Sequence, residues 1–131
     1  MVSGRDGLVY GVGALRAAAK GDRMVWALHR AALRVGVVPI VTVGAVAEAY
    51  RTESRSDRLE AFLAGTEVEK LDGVVSRRIG ELASRSGTAD LVAASTAEVA
   101  ARRNAAVVNS RQAALRAAAG ILGHDLVQYA V

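Results

Sequence analysis

Residues 37–51, with the sequence VVPIVTVGAVAEAYR, decide the fold class. The β-branched run at 37–41 predicts a buried strand, and Pro39 favours a strand start or a sheet edge because proline cannot donate to a ladder. The Ala-rich residues 44–51 that follow predict a helix. A strand that passes directly into a helix is the repeating unit of α/β proteins with parallel sheets.

The same alternation extends along the whole chain and predicts one α/β domain over residues 1–131. Further strands are predicted at 7–10, 66–71, 106–108 and 126–129, and further helices at 14–20, 22–36, 57–64, 74–84, 90–103 and 112–122. Asp22 and Asp90 are predicted to cap the helices that follow them. No internal repeat or linker interrupts this pattern.

Composition limits the classes of function. The chain is 52% hydrophobic and 23% charged, which is typical of a folded globular protein. It has no cysteine, which excludes disulfides, thiolate zinc sites, iron–sulfur clusters and a cysteine nucleophile. Basic residues break every long apolar stretch, so no membrane span is expected. Residues 1–6 do not resemble a secretory signal, so we expect a cytoplasmic protein.

The net charge of +4 permits nucleic acid as a partner. Because most basic residues are arginines in an Ala-rich chain, this charge is a weak indication of phosphate binding. The adjacent pairs Arg77-Arg78 and Arg102-Arg103 are equally consistent with phosphate contacts and with solvated ends of helices.

Ligands of open α/β sheets bind at the carboxyl ends of the strands, so the residues just after each strand are the candidate site. Two of them are carboxylates, Glu48 and Asp90. Glu48 lies in an apolar stretch, and a buried carboxylate is costly without a partner. Asp90 suits a helix cap as well as a ligand, and capping is the interpretation that the sequence favours.

Three further features have mainly structural interpretations. Gly11 and Gly13 lack the third glycine of a dinucleotide-binding loop and indicate a turn. His29 is predicted to be structural or solvated and His124 to be part of a helix end. Trp26 fits the core better than a partner-binding surface.

Four short motifs, in order and at the right spacing, give the chain a resemblance to the PIN-domain nucleases, which include VapC-type toxins. Residues 10–15 (YGVGAL) match the first motif with Gly11 in its Asp position, and residues 47–51 (AEAYR) match the second with Glu48 as its Glu. Residues 88–95 (TADLVAAS) match the third with Asp90 as its Asp. Residues 107–111 (VVNSR) match the fourth with Arg111 where the family has Asp.

The resemblance implies a three-layer α/β/α PIN-like domain with a mostly parallel sheet of four or five strands. It also implies that carboxylates hold Mg²⁺ or Mn²⁺ and that metal-activated water cuts single-stranded RNA. Here Glu48 and Asp90 would be the remaining catalytic and metal-binding residues, with Thr88, Asn109 and Ser110 as auxiliary residues. Gly11 supplies no side-chain oxygen, and Arg111 adds a positive charge, so metal binding is expected to be weak or absent.

We therefore expect a degenerate PIN domain that binds RNA or a protein partner, ahead of an active endoribonuclease toxin and of a dimerisation module without a nucleic-acid role. The predicted RNA contacts are basic side chains: Arg51, Arg77, Arg78, Arg102 and Arg103. A homodimer and an antitoxin-like partner are further implications of the resemblance. A final expectation is that Arg111 takes the place of the metal and pairs with Asp90, Glu48 or both.

Overall fold

Strands and helices alternate along the chain in a computed structural model that describes residues 7–110, 113–123 and 128–130. The strands are β1 (Gly7–Tyr10), β2 (Ile40–Thr42), β3 (Glu67–Glu69), β4 (Ala105–Asn109) and β5 (Gln128–Ala130). The helices are α1 (Val12–Ala19), α2 (Arg23–Arg34), α3 (Val43–Thr52), α4 (Asp57–Ala64), α5 (Gly73–Ser86), α6 (Leu91–Arg102) and α7 (Ala113–Ile121).

All five strands run parallel in the order β3-β2-β1-β4-β5. β1 is therefore central, and its Tyr10 is in register with Val41 of β2 and Val108 of β4. This arrangement confirms the predicted α/β class and makes the sheet wholly parallel. It also brings the carboxyl ends of β1, β2 and β4 to one edge.

The sheet separates two apolar cores, which makes the three-layer α/β/α architecture. Successive residues of a strand point to opposite faces, so Leu8 and Tyr10 pack on one side and Val9 on the other. Residues from α1 to α4 form the first core around Phe62, and residues from α5 to α7 form the second core around Leu115. Both faces of the central strands are covered, as their continuous apolar runs require.

Side chains at the helix starts explain where most of the helices begin. Asp22, Thr42, Ser56, Asp72 and Asp90 each accept a hydrogen bond from the backbone N–H three residues on. The predicted caps Asp22 and Asp90 are thus confirmed. Helix α1 differs, because its first flanking residue is Gly11, which has no side chain to offer.

Several boundaries differ from the predicted ones. β2 begins at Ile40 rather than at residue 37, and Val38 is exposed before it. β3 spans only Glu67–Glu69, as an edge strand whose outer side chains are exposed. His124 and part of the predicted last strand lie outside the described residues. Among the described residues, no helix has the length and the apolar character needed to cross a membrane.

Candidate functional site

The position after β1 is packed so closely that it holds only glycine. Gly11 has φ −80° and ψ 173°, a conformation that any residue can adopt. A Cβ atom at this position would lie 2.4 Å from Cγ and 2.6 Å from Oδ1 of Asn109. The Asn109 side chain, itself buried, therefore fills the space that a carboxylate at position 11 would need.

Asn109 also supplies the cap that Gly11 cannot give to α1. Its Oδ1 accepts a hydrogen bond of 2.7 Å from the backbone N–H of Gly13. A Cβ at Gly13 would lie 2.4 Å from Ser110 Oγ and 2.7 Å from the backbone nitrogen of Ser110. The end of β4 is thus packed directly on the first turn of α1, and a neutral amide satisfies its backbone.

Glu48 is held by two arginines. Its Oε1 lies 2.6 Å from Nη2 and 2.9 Å from Nε of Arg51, and 3.3 Å from Nη2 of Arg16 on α1. The hydrogen bonds from Arg51 and the charges of both arginines lower the pKa of Glu48. The prediction that Glu48 is buried was wrong, because about a third of its side chain is exposed. Arg16 and Arg51 supply the partners that a carboxylate in an apolar stretch requires.

Asp90 and Thr88 shape the start of α6 at the same edge of the sheet. Asp90 Oδ1 accepts a hydrogen bond of 2.9 Å from Ala93 N, and the Asp90 N–H donates to Thr88 Oγ1 at 3.0 Å. Helices α3 and α6 meet here, since the hydroxyls of Thr42 and Ser95 are 3.1 Å apart. Asp90 and Thr88 thus contribute to helix capping, which is the interpretation that the sequence favoured for Asp90.

No protein-family model and no curated protein matches the sequence. Solved structures do match the fold. VapBC2 from Rickettsia felis, solved bound to a DNA fragment from their promoter, superposes with a TM-score of 0.72 at 16% identity, over 95% of this chain and 99% of the other. PAE2754 from Pyrobaculum aerophilum superposes with a TM-score of 0.63 at 18% identity, over 89% and 94%.

The chain has a PIN-like fold of the VapC type. The resemblance stated from the four motifs is thereby confirmed at the level of the fold. The two superpositions cover 95% and 89% of this chain, so the PIN-like fold accounts for most of the structure described above.

In this PIN-like fold, the carboxyl edge of the sheet holds few metal-binding groups. Within the described ranges, no group of three or more His, Cys, Asp or Glu side chains is placed to hold a metal ion. The amide of Asn109 occupies the space beside Gly11, and the carboxylate of Glu48 already contacts two guanidinium groups. Arg111 lies outside the described residues, so its pairing with Asp90 or Glu48 remains a prediction.

The five predicted RNA contacts have different surroundings. Arg77 and Arg78 are exposed on α5 and form no ion pair with any described residue. Arg51 is 65% exposed and pairs with Glu48. Arg102 and Arg103 are bound by the carboxylates of Glu67, Glu69 and Glu98. These ion pairs join α6 to β3, an arrangement that neither of the two alternatives for this pair had included.

Two basic residues at the site were not selected from the sequence, Arg16 and Lys20. They are four residues apart, Arg16 on α1 and Lys20 just after its last residue, so they lie on the same side of the helix. The spacing of four residues was the sequence signal that could have identified them as neighbours at the site. His29 and Trp26 are structural as predicted, since the Tyr10 hydroxyl lies 2.8 Å from His29 Nδ1 and the Trp26 indole donates to Ala18 O at 3.0 Å.

Proposed function

We propose that this chain is a degenerate PIN-like domain that binds RNA through basic side chains and does not cut it with a metal ion. The observation that carries the proposal is the packing of Asn109 into the space beside Gly11. An active PIN-domain nuclease requires a carboxylate at that position, according to the resemblance. Here the space is taken by a buried amide that caps α1.

The remaining donors do not fit Mg²⁺ or Mn²⁺. These cations prefer several oxygen ligands and lose their water reluctantly. The hydrogen bonds of Arg16 and Arg51 go to Oε1 of Glu48, so a cation at the other carboxylate oxygen would lie beside two guanidinium groups that repel it. We therefore derive no cleavage step through a metal for this chain.

Binding of RNA is supported by the charge balance and by the exposed arginines. The chain carries a net charge of +4, and Arg77 and Arg78 have no carboxylate partner among the described residues. Side chains of this kind bind phosphates by releasing counterions, which gives affinity without sequence preference.

Filter binding of a labelled single-stranded RNA at about 50 and 200 mM salt tests this proposal, because binding by counterion release weakens steeply between these concentrations. The same mixtures, incubated with Mg²⁺ and resolved on a gel, test cleavage. We expect salt-sensitive binding, intact RNA and weaker binding by the double variant Arg77→Ala/Arg78→Ala. The matched control is Arg30→Ala/Arg34→Ala, which removes two exposed arginines from α2. Absence of binding at low salt would exclude RNA as a ligand of this chain.

Cleavage that requires Mg²⁺ and disappears in Glu48→Gln would instead establish an active nuclease.

An apolar cleft favours self-association as a second candidate function. A cavity of about 210 Å³ lies between α3, α5 and α6, lined mainly by Gly44, Leu71, Ile79, Gly80, Leu91 and Val92. Of these lining residues, Leu91 is 58% exposed and Leu71 is 41% exposed. Contiguous exposed apolar residues are typical of protein interfaces. A second copy of the chain is the occupant that we propose, and an antitoxin-like protein is the other one that the resemblance implies.

Sedimentation of the purified chain distinguishes the two occupants. A dimer that Leu91→Asp converts to a monomer, while the control Met24→Asp at a more exposed apolar residue does not, would support self-association through the cleft. A wild-type chain that remains monomeric at high concentration would exclude the second copy.

A further inference from the structure

A second, polar cavity lies on the other side of α1, next to the carboxyl edge of the sheet. It measures about 430 Å³, and its lining includes the backbone at Gly13 and Gly21 and the side chains of Arg16, Lys20, Asp22 and Ser110. Gly21 has a positive φ of 77°, which reverses the chain between α1 and α2 and leaves one wall of the cavity without a side chain. The cavity is large enough for a tetrahedral anion and its neighbouring atoms.

Two cations line this cavity, Arg16 and Lys20, and a third, Arg58, lies beside its residue Gly21. Lys20 is exposed and forms no ion pair in the part of the chain that the structure describes. Arg16 contacts Glu48 through Nη2, and its Nε is buried without a hydrogen-bond partner. The Arg58 guanidinium lies beside Gly21, within 3.3 Å of the place where a Cβ would stand. An unsatisfied buried N–H donor is costly, and an anion in the cavity is a group that would compensate it.

The acidic groups near the cavity do not balance these cations. Asp22 Oδ1 accepts the Val25 N–H at the start of α2, where its charge faces the positive end of the helix dipole. Glu48 is shared between Arg16 and Arg51, and Arg51 is closer by 0.7 Å (3.3 against 2.6 Å). Lys20 therefore remains as surplus positive charge in the lining of the cavity.

We infer that this cavity binds a phosphate group. Guanidinium and ammonium groups are the side chains that bind phosphate oxygens most strongly, and the glycine wall allows close approach. The inference deepens the proposed function, since RNA binding would make the bound group a backbone or terminal phosphate of RNA. Free phosphate has the same chemistry, and the two sources are separated by experiment.

The chain has only two lysines, Lys20 and Lys70, and this makes a footprinting experiment possible. Purified protein is acetylated briefly in the absence of ligand, with inorganic phosphate, or with single-stranded RNA, and the two sites are quantified by mass spectrometry. We expect phosphate or RNA to slow acetylation of Lys20 and to leave Lys70, which is exposed at the far edge of the sheet, unchanged.

Calorimetric measurements of phosphate affinity on two matched lysine variants test the same cavity. Calorimetry with inorganic phosphate should show about tenfold weaker binding for Lys20→Ala, because one charge-assisted hydrogen bond is lost, and no change for Lys70→Ala. Both lysines are exposed, so both variants are expected to fold, and equal melting temperatures would verify this.

Each outcome separates this inference from the proposed function. Protection of Lys20 by phosphate, in a protein that does not bind RNA, supports the cavity and removes RNA from the proposed function. RNA binding that leaves Lys20 unprotected and is equal in Lys20→Ala and wild type overturns the phosphate site while RNA binding stands. Protection of Lys20 by neither ligand overturns the inference, and equal protection of Lys20 and Lys70 reveals non-specific charge screening and overturns it too.

Discussion

Two groups of glutamate and arginine residues, at different places around the sheet, have opposite charge balances. One joins the end of α6 to edge strand β3 and consists of Glu67, Glu69, Glu98, Arg102 and Arg103. We call it the α6–β3 cluster. The other lies at the carboxyl edge of the sheet and consists of Glu48, Arg16 and Arg51. We call it the edge cluster.

The two clusters differ in the charge that remains after their ion pairs have formed. In the α6–β3 cluster, three carboxylates surround two guanidinium groups, and Glu98 binds Arg102 through both oxygens at 3.0 Å. The hydrogen bonds that Arg102 donates to Glu98 raise the pKa of Arg102, with further contributions from Glu69. In the edge cluster, one carboxylate faces two arginines. The first cluster is thus closed and stabilises the fold, whereas the second leaves positive charge for an anionic ligand.

The largest expected effect on stability concerns the packing of Asn109 against Gly11, next to the edge cluster. Gly11→Ala should lower the free energy of unfolding by about 2–3 kcal/mol, because its Cβ displaces the buried Asn109 side chain and its cap on Gly13. Gly80→Ala, at a helical glycine with open space around its Cβ, is the matched control and should be neutral or slightly stabilising.

A double-mutant cycle measured by urea denaturation shows whether Asn109 is the cause. In Gly11→Ala/Asn109→Ala, the clash is gone, so the combined loss should be smaller than the sum of the two single losses. Additive losses would show that Gly11 is required for another reason.

The next effect compares the two clusters directly. Glu98→Gln should cost about 1–2 kcal/mol, less than a fully buried pair, because Arg102 is about a third exposed and keeps Glu69. Glu48→Gln should cost less than Glu98→Gln, since Glu48 is more exposed than Glu98. Urea unfolding of both variants checks the order. Equal losses of unfolding free energy in the two variants would show that the α6–β3 cluster does not stabilise the fold more than the edge cluster does.

A smaller effect concerns the pH dependence of the edge cluster. The pKa of Glu48 is lowered from its usual 4.5, chiefly by the hydrogen bond from Arg51. The folded state therefore gains stability from this carboxylate above pH 4.5 and loses it as the pH falls through the lowered pKa. Carbon NMR titration of the Glu48 carboxyl should give a midpoint below 4.5, raised by Arg51→Ala and unchanged by Arg34→Ala. A normal midpoint in the wild type would mean that the pair does not persist in solution.

Local signals in the sequence predicted the fold better than they predicted the site. Helix α4 was predicted at the residues where it occurs, since Ser56 and Asp57 begin it and Gly65 ends it. Asp22 and Asp90 were recognisable as caps because capping depends on neighbours three residues away. The Glu48–Arg51 pair was visible in the same way, at a spacing of three, although the apolar residues around Glu48 suggested burial.

The contacts that decide the chemistry join distant parts of the chain. Asn109 reaches Gly11 and Gly13 only because β4 pairs with β1 in parallel, with Tyr10 in register with Val108. Arg102 and Arg103 meet Glu67 and Glu69 because α6 ends beside β3. No spacing along the sequence encodes either meeting. The amide of Asn109 in the space beside Gly11 was therefore found only in the structure, whereas Gly11 in the motif had indicated only a missing ligand.

Titration of the protein with Mn²⁺, followed by the loss of the free-ion paramagnetic resonance signal, measures whether the carboxyl edge of this PIN-like fold holds a metal ion or only surplus positive charge. We predict no saturable binding below about 1 mM, because too few oxygen ligands remain and Arg16 and Arg51 repel the cation. The opposite result would be micromolar binding that is abolished by Glu48→Gln and preserved in Glu60→Gln, a control at an exposed position of α4. That result would show that the carboxyl edge still holds a metal site.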